Sequence, residues 1–279
     1  MSKYKMVVSD LDETLLGTDR KVPFRNVEAI RRAREIGVKF VPATGRGYAS
    51  IRGTLKELGL QELEDEYVIS FNGGAVTENK GERLLHFEGI SFEKAEELFF
   101  RSFSYDVCTH VYTRDKVYAY RLNQNEIDYL DGRMEVKEFF TENLDFLKGQ
   151  EVVKVIYVNT DWSYLNRIAE DLKEMTQDLD VSYSSNRYME FNQKGVNKGS
   201  GVLFLADLLG IKPEEIIAVG DNFNDLSMLQ VAGLGVGVQN TVTELKPLCD
   251  YITNATCDEG AVGEVIEKYI LMPGSKGHV

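Results

Sequence analysis

The chain has 279 residues, of which 43% are hydrophobic and 10% aromatic, so it can form one large globular domain or two ordinary ones. Its 32 basic and 45 acidic side chains give a formal net charge of −13. This charge repels nucleic acids and anionic bilayers, and we expect neither as a partner. A small phosphorylated ligand is compatible with it, because a local group of cationic and backbone donors can outweigh the overall field.

The sulfur and imidazole side chains exclude several kinds of site. Cys108, Cys249 and Cys257 form no Cys-x-x-Cys pair and no disulfide framework, so a reducing, cytoplasmic location is predicted. The 3 histidines lie far apart, which argues against a histidine-bound zinc and against a Ser-His-Asp triad. No apolar run reaches the roughly 18 residues of a membrane-spanning helix.

The first part of the chain alternates short apolar runs with amphipathic segments. Strands are predicted at 6–9, 38–41 and 67–71, and the segments between them have helical spacing, the first opened by Pro23. Strands separated by helices predict right-handed βαβ units in a parallel sheet. The turn signal at 72–74 ends the third strand.

The pattern changes in the middle of the chain and then returns. Dense aromatics and alternating strand-like pieces predict an antiparallel or mixed sheet, with helices near 92–103 and 162–178. Helix and strand then alternate again. We therefore predict an α/β fold in which a parallel-sheet core, residues 1–83 and 188–279, is interrupted by an α+β insertion, residues 84–187.

Polar side chains stand where the predicted parallel strands end. Ligands of open parallel sheets bind outside the carboxyl ends of the strands, so these side chains are candidate site residues. They are Asp10 and Asp12 after the first strand, Thr44 after the second, Asn72 after the third, and Asp221, Asn224 and Asp225 after a strand at 216–219.

The pair Asp10 and Asp12 is the most informative of these positions. Two carboxylates that face one cavity repel each other unless a cation or a shared proton lies between them. Asp221 and Asp225 supply a second acidic cluster, again after a buried strand. Oxygen ligands without nearby histidine or cysteine favour Mg²⁺ over zinc.

Two further positions offer donors to an anion. Thr44 and Gly45 provide a hydroxyl and a backbone N–H at the end of the second strand. Lys198 lies near the start of a helix predicted over 196–209, where a positive charge opposes the helix dipole. A lysine in that position indicates a role in holding an anion.

The chain resembles the haloacid dehalogenase superfamily of phosphohydrolases. Its insertion is similar to the α/β cap of the Cof-type (cap type IIB) sugar-phosphatase subfamily, and the resemblance covers nearly the whole chain. It implies a Rossmann-like core and a cap that selects the substrate. Four motifs occur in the superfamily's order: Asp10-x-Asp12-x-Thr14, Thr44-Gly45-Arg46, Lys198-Gly199 and Gly220-Asp221-x-x-Asn224-Asp225.

The resemblance implies Mg²⁺-dependent hydrolysis of small phosphomonoesters, such as sugar phosphates, through an aspartyl-phosphate. Asp10 would be the nucleophile, and Asp12 the general acid and then the general base. The implied metal ligands are Asp10, the backbone carbonyl of Asp12, Asp221 and Asp225. The implied phosphate-binding groups are the side chains of Thr44, Lys198 and Asn224 and the backbone N–H groups near Leu11 and Gly45. Substrate contacts are expected from Arg46, Asn72, Arg187 and Tyr188.

Three residues depart from the family pattern. Glu13 stands where glycine is usual, which is acceptable unless the turn needs a positive φ. Gly201 stands where the helix after Lys198 usually has alanine, and glycine weakens a helix slightly. Phe223 is the departure expected to influence substrate choice.

Two alternatives to the phosphatase stay open on the sequence alone. A phosphomutase would share the aspartyl-phosphate but return the phosphoryl group to a sugar. A phospho-acceptor signalling module also uses an acidic pair, a threonine and a lysine, although such modules are shorter and carry no long insertion. The expected oligomeric state is a monomer or a weak homodimer.

Overall fold

The computed structural model describes residues 3–132 and 134–272, which divide into two compact units. In chain order the strands and α-helices are β1 (Met6–Ser9), α1 (Phe24–Glu35), β2 (Lys39–Pro42), α2 (Arg52–Glu57), β3 (Tyr67–Ser70), β4 (Ala75–Glu78), β5 (Arg83–Phe87), α3 (Phe92–Ser102), β6 (Cys108–Thr113), β7 (Val117–Tyr120), α4 (Gln124–Leu130), β8 (Lys137–Glu138), β9 (Val152–Val158), α5 (Trp162–Leu172), β10 (Leu179–Ser184), β11 (Tyr188–Gln193), α6 (Lys198–Leu209), β12 (Ile216–Gly220), α7 (Leu226–Val231), β13 (Leu234–Gly237), β14 (Tyr251–Ile252) and α8 (Ala261–Ile266).

The first unit contains a five-stranded parallel sheet with the order β14-β13-β12-β1-β2. Its strands are short apolar runs because both faces of the sheet are covered by helices. Val7 of β1 packs in one core with Ile30 of α1 and Val265 of α8. Its neighbour Val8 packs in the opposite core with Val202 of α6. The predicted α/β fold with a parallel core is confirmed.

The third strand differs from the prediction. β3 meets the end of β2 through a parallel bridge between Ala43 and Ile69, but it pairs antiparallel with β4, and β4 pairs with β5. The sequence analysis predicted neither β4 nor β5. Phe71, Asn72 and Gly73 have φ values of 53°, 54° and 99°, which reverse the chain into a hairpin. Asn-Gly is a hairpin signal, and reading it only as the end of a strand missed this sheet.

The second unit forms its own sheet and its own core. The sheet has the order β10-β11-β9-β6-β7-β8, and its neighbours are antiparallel except for β7 and β8. Phe99 of α3 and Ile168 of α5 share one hydrophobic core with Tyr157 of β9 and Phe191 of β11. The aromatic residues of this region are therefore mainly core residues.

The boundaries of the second unit lie later in the chain than the predicted insertion of 84–187. It spans residues 88–196. Residues 83–87 form β5, which completes the antiparallel sheet of the first unit. Strand β11 pairs with β9 and β10, so it belongs to the second unit and not to the core segment 188–279. Within the described ranges, no helix is long and apolar enough to cross a membrane.

Candidate active site

Asp10 and Asp221 meet because their strands are neighbours. Ser9, the last residue of β1, is in register with Val219 of β12, and the Asp10 N–H donates to the Val219 carbonyl at 2.9 Å. Both carboxylates therefore stand at the same edge of the parallel sheet. Carboxylate oxygens of Asp10, Asp221 and Asp225 lie within 4.8 Å of one another, and all three residues are buried.

The loop after β12 fixes Asp225 against the backbone. The N–H groups of Asp221 and Asn222 donate to Oδ2 of Asp225 at 2.9 and 3.1 Å. Gly220 allows this tight turn, since a Cβ on it would lie 2.5 Å from the Cβ of Asp225. The other oxygen of Asp225, Oδ1, points to a lysine, so both of its oxygens accept hydrogen bonds.

That lysine is Lys198, the first residue of α6. The helix starts there because the side chain of Asn197 accepts from the Ser200 N–H at 3.0 Å, while the Ser200 hydroxyl accepts from the Asn197 N–H. The Lys198 ammonium contacts Oδ1 of Asp10 and lies 2.6 Å from Oδ1 of Asp225. Its side chain is fully buried. The carboxylates of Asp10 and Asp225 thus stabilise the positive charge of Lys198, which is unfavourable at a helix start.

The electrostatics of this group show an excess of negative charge. Burial raises the pKa of Asp10 well above its usual range, the nearby Asp225 and Asp221 add to this, and Lys198 offsets only a part. Burial and then Asp225 raise the pKa of Asp221 to about 7. Burial alone lowers the pKa of Lys198, but Asp10 and Asp225 outweigh it and hold that pKa above its ordinary value. One ammonium does not balance three carboxylates, so a proton or a further cation is favoured at this group.

The turn after β1 carries the second aspartate of the motif. Glu13 has a φ of 56°, so the left-handed conformation for which glycine is usual is present here with a glutamate. The Thr14 hydroxyl donates to Oδ1 of Asp221 at 2.9 Å and connects the two acidic loops. The side chain of Asp12 is not part of the cluster of Asp10, Asp221 and Asp225: it is half exposed and forms an ion pair with Arg46.

The loop after β2 lies beside this turn. The Thr44 hydroxyl is buried and accepts from the Arg46 N–H at 3.1 Å. The Asn72 N–H donates to the Thr44 carbonyl, which ties the third strand's end to the second. Oδ1 of Asn72 is buried, and no hydrogen-bond partner for it occurs in the described part of the chain. Gly45 faces this amide, since a Cβ on it would lie 3.2 Å from that oxygen.

The remaining predicted residues fall in two groups. Leu11 is buried in the turn after β1, and Asn224 is exposed on the short turn Phe223–Asp225. Arg187 and Tyr188 lie in the second unit, where both bond to the carboxylate of Glu126 at 3.0 and 2.7 Å. Their role toward a substrate stays a prediction.

Two residues that the sequence analysis did not assign take part in the site. Thr14 joins the acidic loops, and its place in the motif Asp-x-Asp-x-Thr was a signal for it. Asn240 donates from its side chain to the Glu13 carbonyl at 2.7 Å. It follows β13 as Asp221 follows β12, so the rule that sites lie at strand ends would have found it.

Comparison with known proteins gives consistent matches over nearly the whole chain. A family model described as haloacid dehalogenase-like hydrolase matches residues 7–266. The chain is 30% identical over 272 residues to a putative phosphatase of Streptococcus pyogenes, covering 96% of this chain and 98% of the relative. It is 27% identical to a 5-amino-6-(5-phospho-D-ribitylamino)uracil phosphatase of Bacillus subtilis, covering 95% and 98%. A crystal structure of a haloacid dehalogenase-like hydrolase from Bacteroides thetaiotaomicron superposes with a TM-score of 0.83 at 28% identity, covering 95% of this chain and 98% of that one.

Proposed function

Because this chain belongs to the haloacid dehalogenase-like hydrolases, we propose that it is a Mg²⁺-dependent phosphatase of small phosphomonoesters, such as sugar phosphates or related metabolites. The observation that carries the proposal is the buried group of Asp10, Asp221, Asp225 and Lys198 at the carboxyl edge of the sheet. Phosphoryl transfer depends on positioning of the reacting groups and on positive charge that stabilises the transition state. This group, completed by a divalent cation, supplies both.

The donor set fits Mg²⁺. Its atoms are hard carboxylate oxygens, and the raised pKa values of Asp10 and Asp221 support the uptake of positive charge there. Asp10, Asp221 and the backbone carbonyl of Asp12 would hold the ion. Asp225 would orient this arrangement, because its own oxygens are engaged by Lys198 and by backbone N–H groups. When bound, Mg²⁺ neutralises the carboxylates and the charge on the phosphoryl oxygens.

The reaction has two halves. In the first, a carboxylate oxygen of Asp10 attacks phosphorus, the bond from phosphorus to the leaving oxygen breaks, and Asp12 gives that oxygen a proton. In the second, water attacks the aspartyl-phosphate, Asp12 takes a proton from the water, and Asp10 is released with inorganic phosphate. Arg46, which pairs with Asp12 in this structure, has to release it for proton transfer.

The phosphoryl oxygens need donors on several sides. Lys198 already contacts the proposed nucleophile, so its ammonium stands next to the reacting phosphorus. We assign the remaining contacts to the Thr44 hydroxyl, the Asn224 amide and the N–H groups of Leu11 and Gly45. Such donors stabilise the charge that develops in the transition state.

The substrate class is a small phosphorylated metabolite with a hydroxylated carbon chain. The Bacillus subtilis relative is named for a phosphate ester of a ribityl group, which is a sugar alcohol. Sugar phosphates and sugar-alcohol phosphates therefore form the first panel to assay. Arg46, Asn72, Arg187 and Tyr188 are the proposed contacts to the leaving group.

Asp10→Asn tests the reaction directly. We expect wild-type protein with Mg²⁺ to release phosphate from an aryl phosphate, and Asp10→Asn to lower kcat by at least about 1,000-fold with its fold intact, because the nucleophile is lost. Asp207→Asn, an exposed change on α6, is the matched control and should keep wild-type activity. Activity of a folded Asp10→Asn variant above about one per cent would assign the covalent role elsewhere. Transfer of the phosphoryl group to another sugar, without phosphate release, would instead favour the phosphomutase.

A further inference from the structure

The turn that carries Asp12 and Thr14 is held in a conformation that its own sequence disfavours. Glu13, between them, has φ 56° and ψ 13°, a region that side chains other than glycine, asparagine and aspartate rarely adopt. The turn closes through a hydrogen bond from the Leu16 N–H to the Leu11 carbonyl at 2.8 Å. Contacts from outside the turn must therefore stabilise it.

The side chain of Asn240 makes such a contact. Its Nδ2 donates to the Glu13 carbonyl at 2.7 Å, and its Oδ1 accepts from the Cys257 N–H at 2.9 Å. A donor is required on one side and an acceptor on the other, so the two partners fix the orientation of the amide. Cys257 is buried at the start of a short turn before α8. Asn240 thus connects the backbone of the strained residue to a fixed part of the same unit.

The segment around Asn240 also holds the other acidic loop. The Val238 N–H donates to the Gly220 carbonyl at 3.2 Å, and the Val242 N–H donates to the Asp221 carbonyl at 3.0 Å. The segment 238–242 therefore contacts both the turn of Asp12 and the loop of Asp221. These two loops meet through the hydrogen bond from Thr14 to Asp221.

We propose that Asn240 is a positioning residue for the phosphatase reaction: its side chain holds Glu13 in the left-handed conformation and so sets the positions of Asp12 and Thr14. The inference rests on the proposed function only for its effect on turnover. The effect of Asn240 on the conformation of the turn is a property of the folded chain and can be measured without a substrate.

The first test replaces Asn240 and measures kinetics and stability together. We expect Asn240→Ala to lower kcat for an aryl phosphate by about 10- to 100-fold with little change in KM, since small misplacements of catalytic groups cost this much. Its thermal unfolding temperature should stay within a few degrees of wild type. Asn254→Ala is the matched control, because Asn254 is an exposed amide of the same unit that contacts Tyr251 and Glu264 instead of the turn.

The second test separates positioning from simple loss of structure. If Asn240 acts by holding Glu13, then Glu13→Gly removes the need for it, because glycine adopts a positive φ at no steric cost. The double variant Glu13→Gly/Asn240→Ala should recover most of the lost kcat, whereas Glu13→Gly alone should stay near wild type. Failure of the double variant to recover any activity would overturn the proposal.

Amide hydrogen exchange gives a readout that needs no catalysis. The Leu16 N–H, which closes the turn, should exchange faster in Asn240→Ala and return toward wild type in the double variant. If the exchange behaves so but no phosphomonoester is hydrolysed, the hold on the turn stands and the proposed function fails. Unchanged exchange in Asn240→Ala overturns the proposal. Asn240→Asp is a second variant that keeps the acceptor for the Cys257 N–H. If neither Asn240→Ala nor Asn240→Asp folds, Asn240 has a folding role only, and this outcome also overturns the proposal.

Discussion

At the scale of single residues, the site depends on ionisable side chains in environments that disfavour their charged forms. Lys198 is a buried cation at a helix start, and Asp10 and Asp221 are buried carboxylates with raised pKa values. Asp10 and Asp225 stabilise the charge of Lys198, and Lys198 in turn offsets part of the cost of burying the carboxylates. Residues in such environments cluster at functional sites, because the same arrangement that costs stability holds charge ready for a substrate.

Asp221 is expected to be a metal ligand. Its Oδ1 accepts from Thr14, and the carboxylate lies beside Asp10 and Asp225. We expect saturating Mg²⁺ to raise the thermal unfolding temperature of the wild type by a few degrees, since a ligand that binds the folded state stabilises it. Asp221→Asn should lose this shift while remaining folded, as judged by calorimetry with and without Mg²⁺. An equal shift in the variant would remove Asp221 from the metal site.

At the scale of elements, close packing of α6 against the strand ends positions Lys198. A Cβ on Gly199 would lie 2.6 Å from the Ser227 carbonyl oxygen, and one on Gly73 would lie 2.0 Å from the Asn197 carbonyl oxygen. Glycines therefore let the start of α6 approach the turn at Gly73 and the first turn of α7 at backbone distance. Gly201 belongs to the same contact, so its cost to helix propensity is offset by packing.

Gly201→Ala should therefore destabilise the protein although alanine favours helices. The new methyl group would lie 2.7 Å from Cγ2 of Ile69 and 3.0 Å from Cα of Gly73. We expect a loss of about 1–3 kcal/mol in the free energy of unfolding, measured by urea titration. Gly53→Ala in α2 is the matched control, because nothing lies within 4 Å of its Cβ position. That change should stabilise the protein by up to about 1 kcal/mol, and equal effects at both sites would contradict the packing argument.

At the scale of the whole molecule, the chain builds two units, each with its own hydrophobic core. A change of pH can therefore destabilise one unit through titratable groups that the other unit lacks. In the second unit, His110 of β6 is fully buried, and neither ring nitrogen has a hydrogen-bond partner within the described ranges. Its Nε2 lies 3.7 Å from Oε1 of Glu126, which bonds to Tyr188, while Oε2 of Glu126 bonds to Arg187.

His110 should make the second unit sensitive to acid. Burial, with the charge of Lys154, lowers the pKa of His110 to about 4 from 6.5. Between these values the unfolded histidine binds a proton that the folded one does not, so stability is lost as the pH falls from 6.5 toward 4. We expect the free energy of unfolding to fall by about 2 kcal/mol from pH 7 to pH 5 through this group. Urea unfolding followed by the fluorescence of Trp162, the 1 tryptophan of the chain and part of α5, measures it. The same slope in His110→Phe would assign the acid sensitivity to other groups.

The second unit also carries two of the four residues proposed to contact the leaving group, Arg187 and Tyr188. Because all phosphomonoesters share the phosphoryl group, discrimination has to come from contacts to the leaving alcohol. We expect Arg187→Ala and Tyr188→Phe to change the ranking of sugar phosphates by kcat/KM more than the activity on an aryl phosphate. Arg187→Ala also leaves Glu126 buried without its cation, so Arg187→Ala/Glu126→Gln is the control that removes this charge. A uniform drop in both backgrounds would show a folding role for these residues.

Much of this protein is determined by short stretches of its sequence. Apolar runs that end at Asp10, Thr44 and Asp221 predict both the parallel sheet and the edge that carries the site, because these signals are local and periodic. The order of the motifs identifies the family. The match of a haloacid dehalogenase-like hydrolase model to residues 7–266 confirms it and the predicted class of a hydrolase, and relatives named phosphatases agree with the prediction of a phosphoric monoester hydrolase. The β3–β4 hairpin was not predicted, and the second unit spans 88–196 where the sequence analysis gave 84–187. Turn conformation and strand pairing are not periodic signals, so these features are harder to read from the sequence.

Only the tertiary structure decides which of these residues meet. Lys198 reaches Asp10 across 188 positions of the chain, a contact that the strand order and the packing of α6 create. The same folding makes a left-handed turn of Glu13, brings Asn240 to it, and turns Gly201 from a weak helix residue into a required small one. Sequence patterns record what each segment prefers alone. Contacts between distant segments depend on the whole fold, because burial and close approach exist only after the sheet and its helices have assembled.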